Sequence, residues 1–225
     1  MIGCVIFDFD GTLVNSNAIK NEAFYTVAAK LSQERLALER ILSLSDIGDR
    51  HNVFERFSTA IGVGSDEENL ALARELSNAY TELCYSQIST APEIKGATDT
   101  LKQLATMNIR RFISSATPYS ALTKLVASRV LPCKIHDIYG APMTKVEHIL
   151  HISSSTKLKP EEIIYVGDSE GDLSAATKTG CNFVAVRVGG ENRFTTEPDF
   201  VVDNLLEILP IIDMLSADRR AGVTL

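Results

Sequence analysis

The sequence predicts an α/β protein with a parallel sheet at its centre and an all-helical insertion after the first strand. An unbroken apolar run from Cys4 to Phe7 leads directly into two aspartates and a Gly-Thr pair, which is typical of a strand buried on both faces. Residues 17–89 carry apolar side chains at helical spacing and show no convincing strand. From Gly96 onwards, helix and strand patterns alternate, as they do around a parallel sheet.

The chain length and the position of a Pro/Gly segment suggest the domain organisation. A chain of 225 residues can hold one sizeable domain with a modest insertion. We expect a core formed by residues 1–15 and 93–225 and a helical cap formed by residues 16–92. The Pro/Gly segment from Ala91 to Gly96 leaves the helical region and is suited to a hinge.

The composition is that of a globular protein and argues against several classes of partner. Hydrophobic residues make up 45% of the chain and charged residues 23%, which is ordinary for a protein that folds in water. A net charge of −7 without a Lys/Arg cluster argues against a nucleic acid partner. The apolar run before Asp8 is too short for a signal peptide or a membrane span. The four cysteines are scattered, and Cys4 and Cys181 lie in apolar strand-like runs, so we expect these two to be reduced core residues in a cytoplasmic protein. We also expect a monomer or homodimer with no membrane partner.

Asp8 and Asp10 lie at the predicted carboxyl end of the first strand. Functional groups collect at this end of a parallel sheet, and Gly11 lets the chain turn sharply there. An ordinary acidic turn would also explain these residues in isolation. Three later segments favour a functional interpretation.

The helical region contains a polar break from Gly48 to Asn52, between two helical patterns. Arg50 and His51 in this break could reach toward a ligand, although a solvated loop residue is the simpler interpretation of His51. Both interpretations stay open for Arg50, because a helical insertion needs a cationic group if it is to meet an anionic substrate. Further along, Asp66 is predicted to cap a longer helix.

The strand predicted from Ile109 runs into a hydroxyl cluster that ends at Thr117, and Pro118 is expected to start the next helix. Ser115, the following backbone N–H and a helix N-terminus together make an anion site. Turns between strands and helices are often rich in Ser and Thr for capping alone. This segment is therefore a weak signal when it is taken by itself.

Lys145 opens a predicted helix that carries Val146, Ile149 and Ile152 on its apolar face. A lysine at a helix start is slightly unfavourable to the helix dipole. A functional role therefore explains Lys145 better than a stabilising role does.

A second buried strand, Ile163–Gly167, ends in Asp168, and Asp172 follows one turn along the next helix. This spacing can place two carboxylates at one site, as a hard cation with oxygen ligands requires. A simple helix cap would explain Asp168 alone. The C-terminal region predicts a final helix over residues 205–215 and a loose tail over residues 216–225.

These four segments resemble the motifs of the haloacid dehalogenase-like superfamily and occur in that family's order. The motifs are Asp-x-Asp-Gly-Thr, an apolar strand ending in Ser or Thr, a Lys that begins a helix after a Gly-x-Pro-like loop, and Gly-Asp-x-x-x-Asp. The resemblance covers essentially the whole chain, although the cap matches by helical character more than by residues. It implies a Rossmann-like core with a helical cap, as in the phosphoglycolate phosphatase and β-phosphoglucomutase branch. Asn15 stands where many relatives have Asp, which concerns hinge or cap contacts more than chemistry.

The resemblance also implies an activity, that of a Mg²⁺-dependent phosphatase acting on a small phosphorylated metabolite such as phosphoglycolate or a sugar phosphate. Asp8 would be the nucleophile that becomes a phospho-aspartate. Asp10 would protonate the leaving oxygen and later deprotonate water.

The remaining motif residues would bind the phosphoryl group and the metal ion. The implied groups around the phosphoryl oxygens are Ser115, the Ala116 N–H and Lys145. The implied metal ligands are Asp8, the Asp10 backbone carbonyl and Asp168. Asp172 is implied to lie next to these ligands without contacting the metal itself. Arg50 is the candidate for substrate binding in the cap.

Three alternatives stay open. A phosphomutase would use the same residues but return the phosphoryl group to the bound sugar. A dehalogenase would use the same nucleophile without needing Asp10 and Asp168, so these two acids count against it. A catalytically silent binding protein is disfavoured because Asp8, Asp10, Lys145 and Asp168 occur together.

Overall fold

The protein forms two compact units in its computed structural model. The described residues are 1–29, 31, 35–44, 49–62, 64–129, 131–188 and 194–221, with the backbone alone for 218–221. One unit comprises Met1–Asn15 with Ala91–Leu225, and the other comprises Ser16–Thr90. The second boundary lies two residues before the predicted one.

The smaller unit is helical throughout its described elements. Its helices are α1 (Asn17–Ala28), α2 (Arg35–Leu42), α3 (Arg50–Ile61) and α4 (Asp66–Ile88). An aromatic cluster joins three of them, because the ring centroid of Phe24 lies 4.4 Å from that of Tyr80 and 5.5 Å from that of Phe54. Contacts of this kind add to the apolar burial that stabilises the unit.

The larger unit is built on a six-stranded parallel sheet, which confirms the predicted α/β class. Its strands are β1 (Cys4–Phe7), β2 (Arg110–Pro118), β3 (Asp137–Ala141), β4 (Ile163–Gly167), β5 (Asn182–Val186) and β6 (Val201–Val202). Their order across the sheet is β3-β2-β1-β4-β5-β6, and every pairing is parallel. Strand β1 lies between β2 and β4 with all four residues buried, as its unbroken apolar sequence predicts.

Helices connect the strands and cover the sheet. They are α5 (Ala97–Thr106), α6 (Tyr119–Ala127), α7 (Lys145–Thr156), α8 (Glu170–Thr179) and α9 (Ile208–Ala221). Ile149 of α7 and Ala176 of α8 join Ile6 and Tyr165 in one buried apolar cluster. Helices α7 and α8 therefore pack against β1 and β4. Within the described ranges, no helix is both long and apolar enough to cross a membrane.

Two predicted helix ends are wrong. Ser65, and not Asp66, caps α4, because the Ser65 hydroxyl accepts from the Glu68 N–H at 3.4 Å while the Ser65 N–H donates to the Glu68 carboxylate at 2.7 Å. The predicted loose tail is helical as far as Ala221, since residues 216–221 are mostly Ala, Arg and other helix-compatible types. The rest of that prediction, residues 222–225, lies outside the described residues.

Candidate active site

Asp8 and Asp10 are buried side chains at the end of β1, with exposed fractions of 5% and 7%. The Asp8 N–H donates to the Val166 carbonyl of β4 at 2.8 Å, so the backbone of Asp8 prolongs the strand pairing. Gly11 follows with a φ of 77°, a left-handed conformation that suits glycine. Its N–H donates to the Val14 carbonyl at 2.8 Å. This closed turn holds Asp10 beside the strand end.

Asp168 and Asp172 lie at the end of β4 and in the first turn of α8. The N-cap of α8 is Ser169, so a capping role does not account for Asp168. Asp172 completes the cap, because its Oδ2 accepts from the Ser169 hydroxyl at 2.5 Å and from the Ser169 N–H at 3.2 Å. A Cβ at Gly167 would lie 2.3 Å from Asp172 Cγ. Only glycine admits the carboxylate this close to the strand.

Three buried carboxylates and one ammonium group converge at this edge of the sheet. One oxygen atom each from Asp8, Asp168 and Asp172 lies within 4.8 Å of the other two. Lys145 Nζ lies 2.7 Å from Asp172 Oδ1 and 3.3 Å from Asp8 Oδ1. Lys145 is the first residue of α7, and Thr144 caps that helix. The first residue of α7 thus places its ammonium group within the acidic cluster.

The cluster contains more carboxyl groups than ammonium groups. The pKa of Asp8 is raised well above its ordinary range: burial is the largest cause, the Lys145 ammonium opposes it, and the three neighbouring aspartates raise it further. Burial alone would lower the pKa of Lys145, but the carboxylates of Asp8 and Asp172 outweigh burial and raise it well above its ordinary value. One ammonium therefore faces more negative charge than it can neutralise.

The oxygen atoms of this cluster fit a hard divalent cation. Among the described residues, the buried Asp8 Oδ1 accepts no hydrogen bond of good geometry, even though Lys145 Nζ is 3.3 Å away. Asp168 Oδ1 accepts from the Thr12 hydroxyl at 3.5 Å, which is the long limit for such a bond. Asp172 has donors at 2.7 Å and 2.5 Å on its two oxygens. Asp8 is therefore better placed than Asp172 to bind a cation directly.

The hydroxyl cluster at the end of β2 contains a site residue that the sequence analysis missed. Thr117 Oγ1 donates to Asp10 Oδ2 at 2.9 Å, and the Thr117 N–H donates to the Ser115 hydroxyl at 3.0 Å. Ser115 is buried, whereas Ala116 is exposed. Pro118, expected to start α6, is its N-cap, and that cap has no side-chain hydrogen bond. Capping therefore does not account for these hydroxyls, and membership of the cluster was the one signal for Thr117.

Arg50 and His51 belong to the helical unit, and their predicted setting is wrong. Arg50 is the first residue of α3, because the Asp49 side chain accepts from the backbone N–H groups of His51 and Asn52 and so starts the helix. Arg50 to Asn52 are therefore helical, and Gly48 lies outside the described residues. His51 is exposed, whereas Arg50 is partly buried. The Arg50 Nε is buried and has no hydrogen-bond partner among the described residues.

Asn15 lies where the chain leaves the larger unit. Its backbone N–H donates to the Pro92 carbonyl at 2.9 Å, and the Ile94 N–H donates to the Leu13 carbonyl at 3.0 Å. The outgoing and returning segments are thus hydrogen-bonded to each other through their backbones. The side chain of Asn15 is exposed, so these bonds do not depend on whether residue 15 is Asn or Asp.

Known proteins resemble the chain over most of its length. The family model described as haloacid dehalogenase-like hydrolase matches residues 5–186. Phosphoglycolate phosphatase 1 of Pseudomonas aeruginosa is 27% identical over 221 residues, which covers 93% of this chain and 79% of the relative. A phosphoglycolate phosphatase of Salmonella typhimurium is 25% identical over 242 residues, which covers 96% of this chain and 94% of the relative.

Solved structures share the fold at lower sequence identity. CbbY from Rhodobacter sphaeroides, solved in complex with phosphate, has a TM-score of 0.73 at 19% identity and covers 95% of this chain and 100% of that chain. A structure described as a candidate β-phosphoglucomutase from Thermotoga maritima has a TM-score of 0.71 at 18% identity, covering 95% and 99%. Since the family model covers residues 5–186, which include all four motif segments and most of the sequence, the chain belongs to the haloacid dehalogenase-like hydrolase family.

Proposed function

We propose that the protein is a Mg²⁺-dependent phosphatase that hydrolyses a small phosphorylated metabolite through a phospho-aspartate intermediate. The buried cluster of Asp8, Asp168 and Asp172 with Lys145 beside it carries this proposal. Such a cluster offers a nucleophile, a cation site and a positive charge within one small region. The relatives named phosphoglycolate phosphatase support the substrate class.

In the first half-reaction, Asp8 attacks the phosphorus atom. One carboxylate oxygen of Asp8 forms a new P–O bond while the ester P–O bond breaks. Asp10 gives its proton to the departing alkoxide. The Thr117 hydroxyl holds Asp10 Oδ2 at 2.9 Å, which fixes the orientation of the carboxyl group.

In the second half-reaction, water attacks the phosphorus of the phospho-aspartate. Asp10, now a carboxylate, takes a proton from this water. The P–O bond to Asp8 breaks, and inorganic phosphate leaves with the nucleophile regenerated. Asp10 regains its proton in this step, so one carboxyl group serves as acid and then as base.

Three groups are assigned to the phosphoryl oxygens, namely the Ser115 hydroxyl, the Ala116 N–H and the Lys145 ammonium. Lys145 is already held by Asp172 at 2.7 Å. Its charge is therefore in place before substrate arrives, and such preorganisation favours the transition state.

The proposed Mg²⁺ ligands are Asp8, the Asp10 backbone carbonyl and Asp168. When bound, Mg²⁺ neutralises negative charge on the phosphoryl group and on the carboxylates around it. The raised pKa of Asp8 supports a cation there, since the described residues leave that carboxylate short of positive charge. Asp172 is assigned to holding Lys145 and the start of α8.

Substrate selectivity is assigned to the helical cap, because the motif residues of the core handle only the phosphoryl group. Arg50 is the candidate residue, as its guanidinium can hold a carboxylate or phosphate oxygen in a forked pair of hydrogen bonds. We place the enzyme in the cytoplasm as a monomer or homodimer. Its free cysteines support a reducing compartment.

The test is phosphate release from a panel of phosphorylated metabolites, including phosphoglycolate and sugar phosphates, with and without Mg²⁺. We expect stoichiometric release from at least one ester, and we expect a chelator to abolish it. Conversion of a sugar phosphate to its isomer without phosphate release would identify a phosphomutase instead. Failure to turn over any ester would favour a binding protein.

A further inference from the structure

A polar network lies inside the core of the larger unit. Tyr165 Oη lies 3.2 Å from the Ser114 carbonyl oxygen and 3.1 Å from Ser114 Oγ. Ser114 Oγ lies 2.9 Å from His148 Nδ1. The exposed fraction of all three residues is 0%. The chemistry proposed above uses none of them.

Each member of this network comes from a different element. Ser114 belongs to β2, Tyr165 to β4 and His148 to α7. Strand β1 separates β2 from β4, so the long tyrosine side chain passes over β1 to reach Ser114. His148 follows Lys145 by three positions and shares its side of the helix. The network thus ties two strands to the helix turn that carries Lys145.

Apolar packing alone does not explain these residues. Buried polar groups are unfavourable unless they are hydrogen-bonded. His148 Nε2 makes no hydrogen bond of good geometry among the described residues, although the Gly140 backbone is near enough to interact with the ring. Burial also lowers the pKa of His148, so the ring is neutral at pH 7 and offers one donor and one acceptor. Phe and Leu at positions 165 and 148 would fill similar space without these costs.

Lys145 is the candidate catalytic group on the helix turn that carries His148. Its flexible stem allows many rotamers, yet its ammonium lies within 2.7 Å of Asp172 Oδ1. Tyr165 is near enough to Lys145 for the ammonium to lower the pKa of the phenol, against the larger raising effect of burial. The phenol and the ammonium therefore interact electrostatically.

We infer that Tyr165, Ser114 and His148 are positioning residues that fix the first turn of α7 and thereby the Lys145 ammonium. The inference rests on the proposed function, because the role of Lys145 is the one assigned there. Loss of the imidazole removes the hydrogen bond between α7 and β2, and loss of the phenol hydroxyl lets Ser114 Oγ turn away from His148. In either case the ammonium moves away from the phosphoryl group.

The test combines kinetics with structure. Tyr165→Phe removes one hydroxyl and keeps the ring, and we expect kcat/KM to fall about tenfold, equivalent to about 1.4 kcal/mol. His148→Leu should have a similar effect, whereas His148→Asn can still hydrogen-bond Ser114 and should recover most of the activity. Thr100→Val is the control, since it removes a hydroxyl that is buried and without a partner among the described residues. The control should leave kcat/KM unchanged.

Dependence on Lys145 separates positioning from general stabilisation. In a Lys145→Met background, Tyr165→Phe should cause no further loss of the residual activity. An equal loss in both backgrounds would overturn the inference. A crystal structure of Tyr165→Phe supplies a readout that does not depend on turnover: we expect the distance from Lys145 Nζ to Asp172 Oδ1 to exceed about 3.5 Å, the limit of a hydrogen bond. An unchanged lysine would overturn the inference, whereas a native enzyme that releases no phosphate would overturn the proposed function alone.

Discussion

The Thr117 hydroxyl donates a hydrogen bond of 2.9 Å to Asp10 Oδ2 across 107 positions of sequence. Thr117 lies at the end of β2 and Asp10 on the loop after β1, and these strands are neighbours in the sheet. Strand pairing therefore sets the distance between the two side chains. The bond restrains a carboxyl group that, in the mechanism proposed above, gives and later takes a proton at the same place.

We expect Thr117→Val to lower kcat about tenfold and to change KM little. The substitution removes one hydrogen bond to a charged group, worth about 1.5 kcal/mol, while it keeps the shape of the side chain. Thr117→Ser retains the hydroxyl and should keep most of the activity. Steady-state kinetics on both variants provide the measurement. Similar losses in the two variants would assign the effect to packing of the methyl group.

Asp8→Asn should abolish turnover and leave the fold intact, because a neutral amide cannot act as the nucleophile. The bound phosphoryl mimic beryllofluoride should be trapped on the native Asp8 and not on the variant. Near-normal turnover by Asp8→Asn would show that another group attacks the phosphorus.

The same substitution should stabilise the metal-free protein. Removing one poorly compensated buried carboxylate is worth about 2 kcal/mol, which corresponds to about 4–8 °C in Tm for a chain of this size. The folded pKa of Asp8 is raised above its ordinary value of 3.8, so the folded state holds this proton more tightly than the unfolded chain does. Native stability is therefore lost as pH rises from 3.8 through the folded pKa. Thermal melts in chelator should show the Tm gap widening over that range, and Mg²⁺ should narrow it.

Asp168→Ala should weaken Mg²⁺ binding, because it removes a hard oxygen ligand from a site that has few. We expect the Mg²⁺ concentration for half-maximal activity to rise, and the Mg²⁺-dependent increase in Tm to disappear. Asp99→Ala is the matched control, since Asp99 is an exposed carboxylate of the same unit. Native activity that persists in excess chelator would contradict the metal assignment.

The sequence could predict which carboxylates meet, because parallel strands place their carboxyl ends at one edge of the sheet. Asp8 and Asp168 each follow an apolar run that is typical of a buried strand, and Lys145 begins a helix against the dipole preference. Their proximity follows from these local patterns.

The pairing of Thr117 with Asp10 could not be predicted in this way. The hydroxyl cluster offers several candidates, and strict alternation along a strand would decide which of them face the site. The register between β2 and β3 shifts between Ser114 and Pro118, so alternation does not settle the matter. The start of α3 at Arg50 was missed for a related reason. Asp49 and Asn52 form a capping box, and in the sequence the polar residues of a capping box look like those of a loop.

Arg50 offers the test of selectivity. As the first residue of α3 it places a positive charge where the helix dipole disfavours one, and its buried Nε lacks a hydrogen-bond partner among the described residues. Both observations favour a ligand over a structural role. We expect Arg50→Ala to lower kcat/KM for the preferred substrate by about ten- to a hundredfold, the effect of losing one charged hydrogen bond of about 1.5–3 kcal/mol.

A small generic ester separates selectivity from other roles of Arg50. Hydrolysis of p-nitrophenyl phosphate should fall much less in Arg50→Ala, because that leaving group carries no anion for a guanidinium to hold. His51→Ala is the matched control, since His51 is the exposed neighbour on the same helix turn, and it should leave both substrates unaffected. Arg50→Lys keeps the charge but loses the forked geometry, so it should recover only part of the activity. Equal losses on both substrates would mean that Arg50 supports the cap itself, and no loss on either would make it a surface residue without a role in binding.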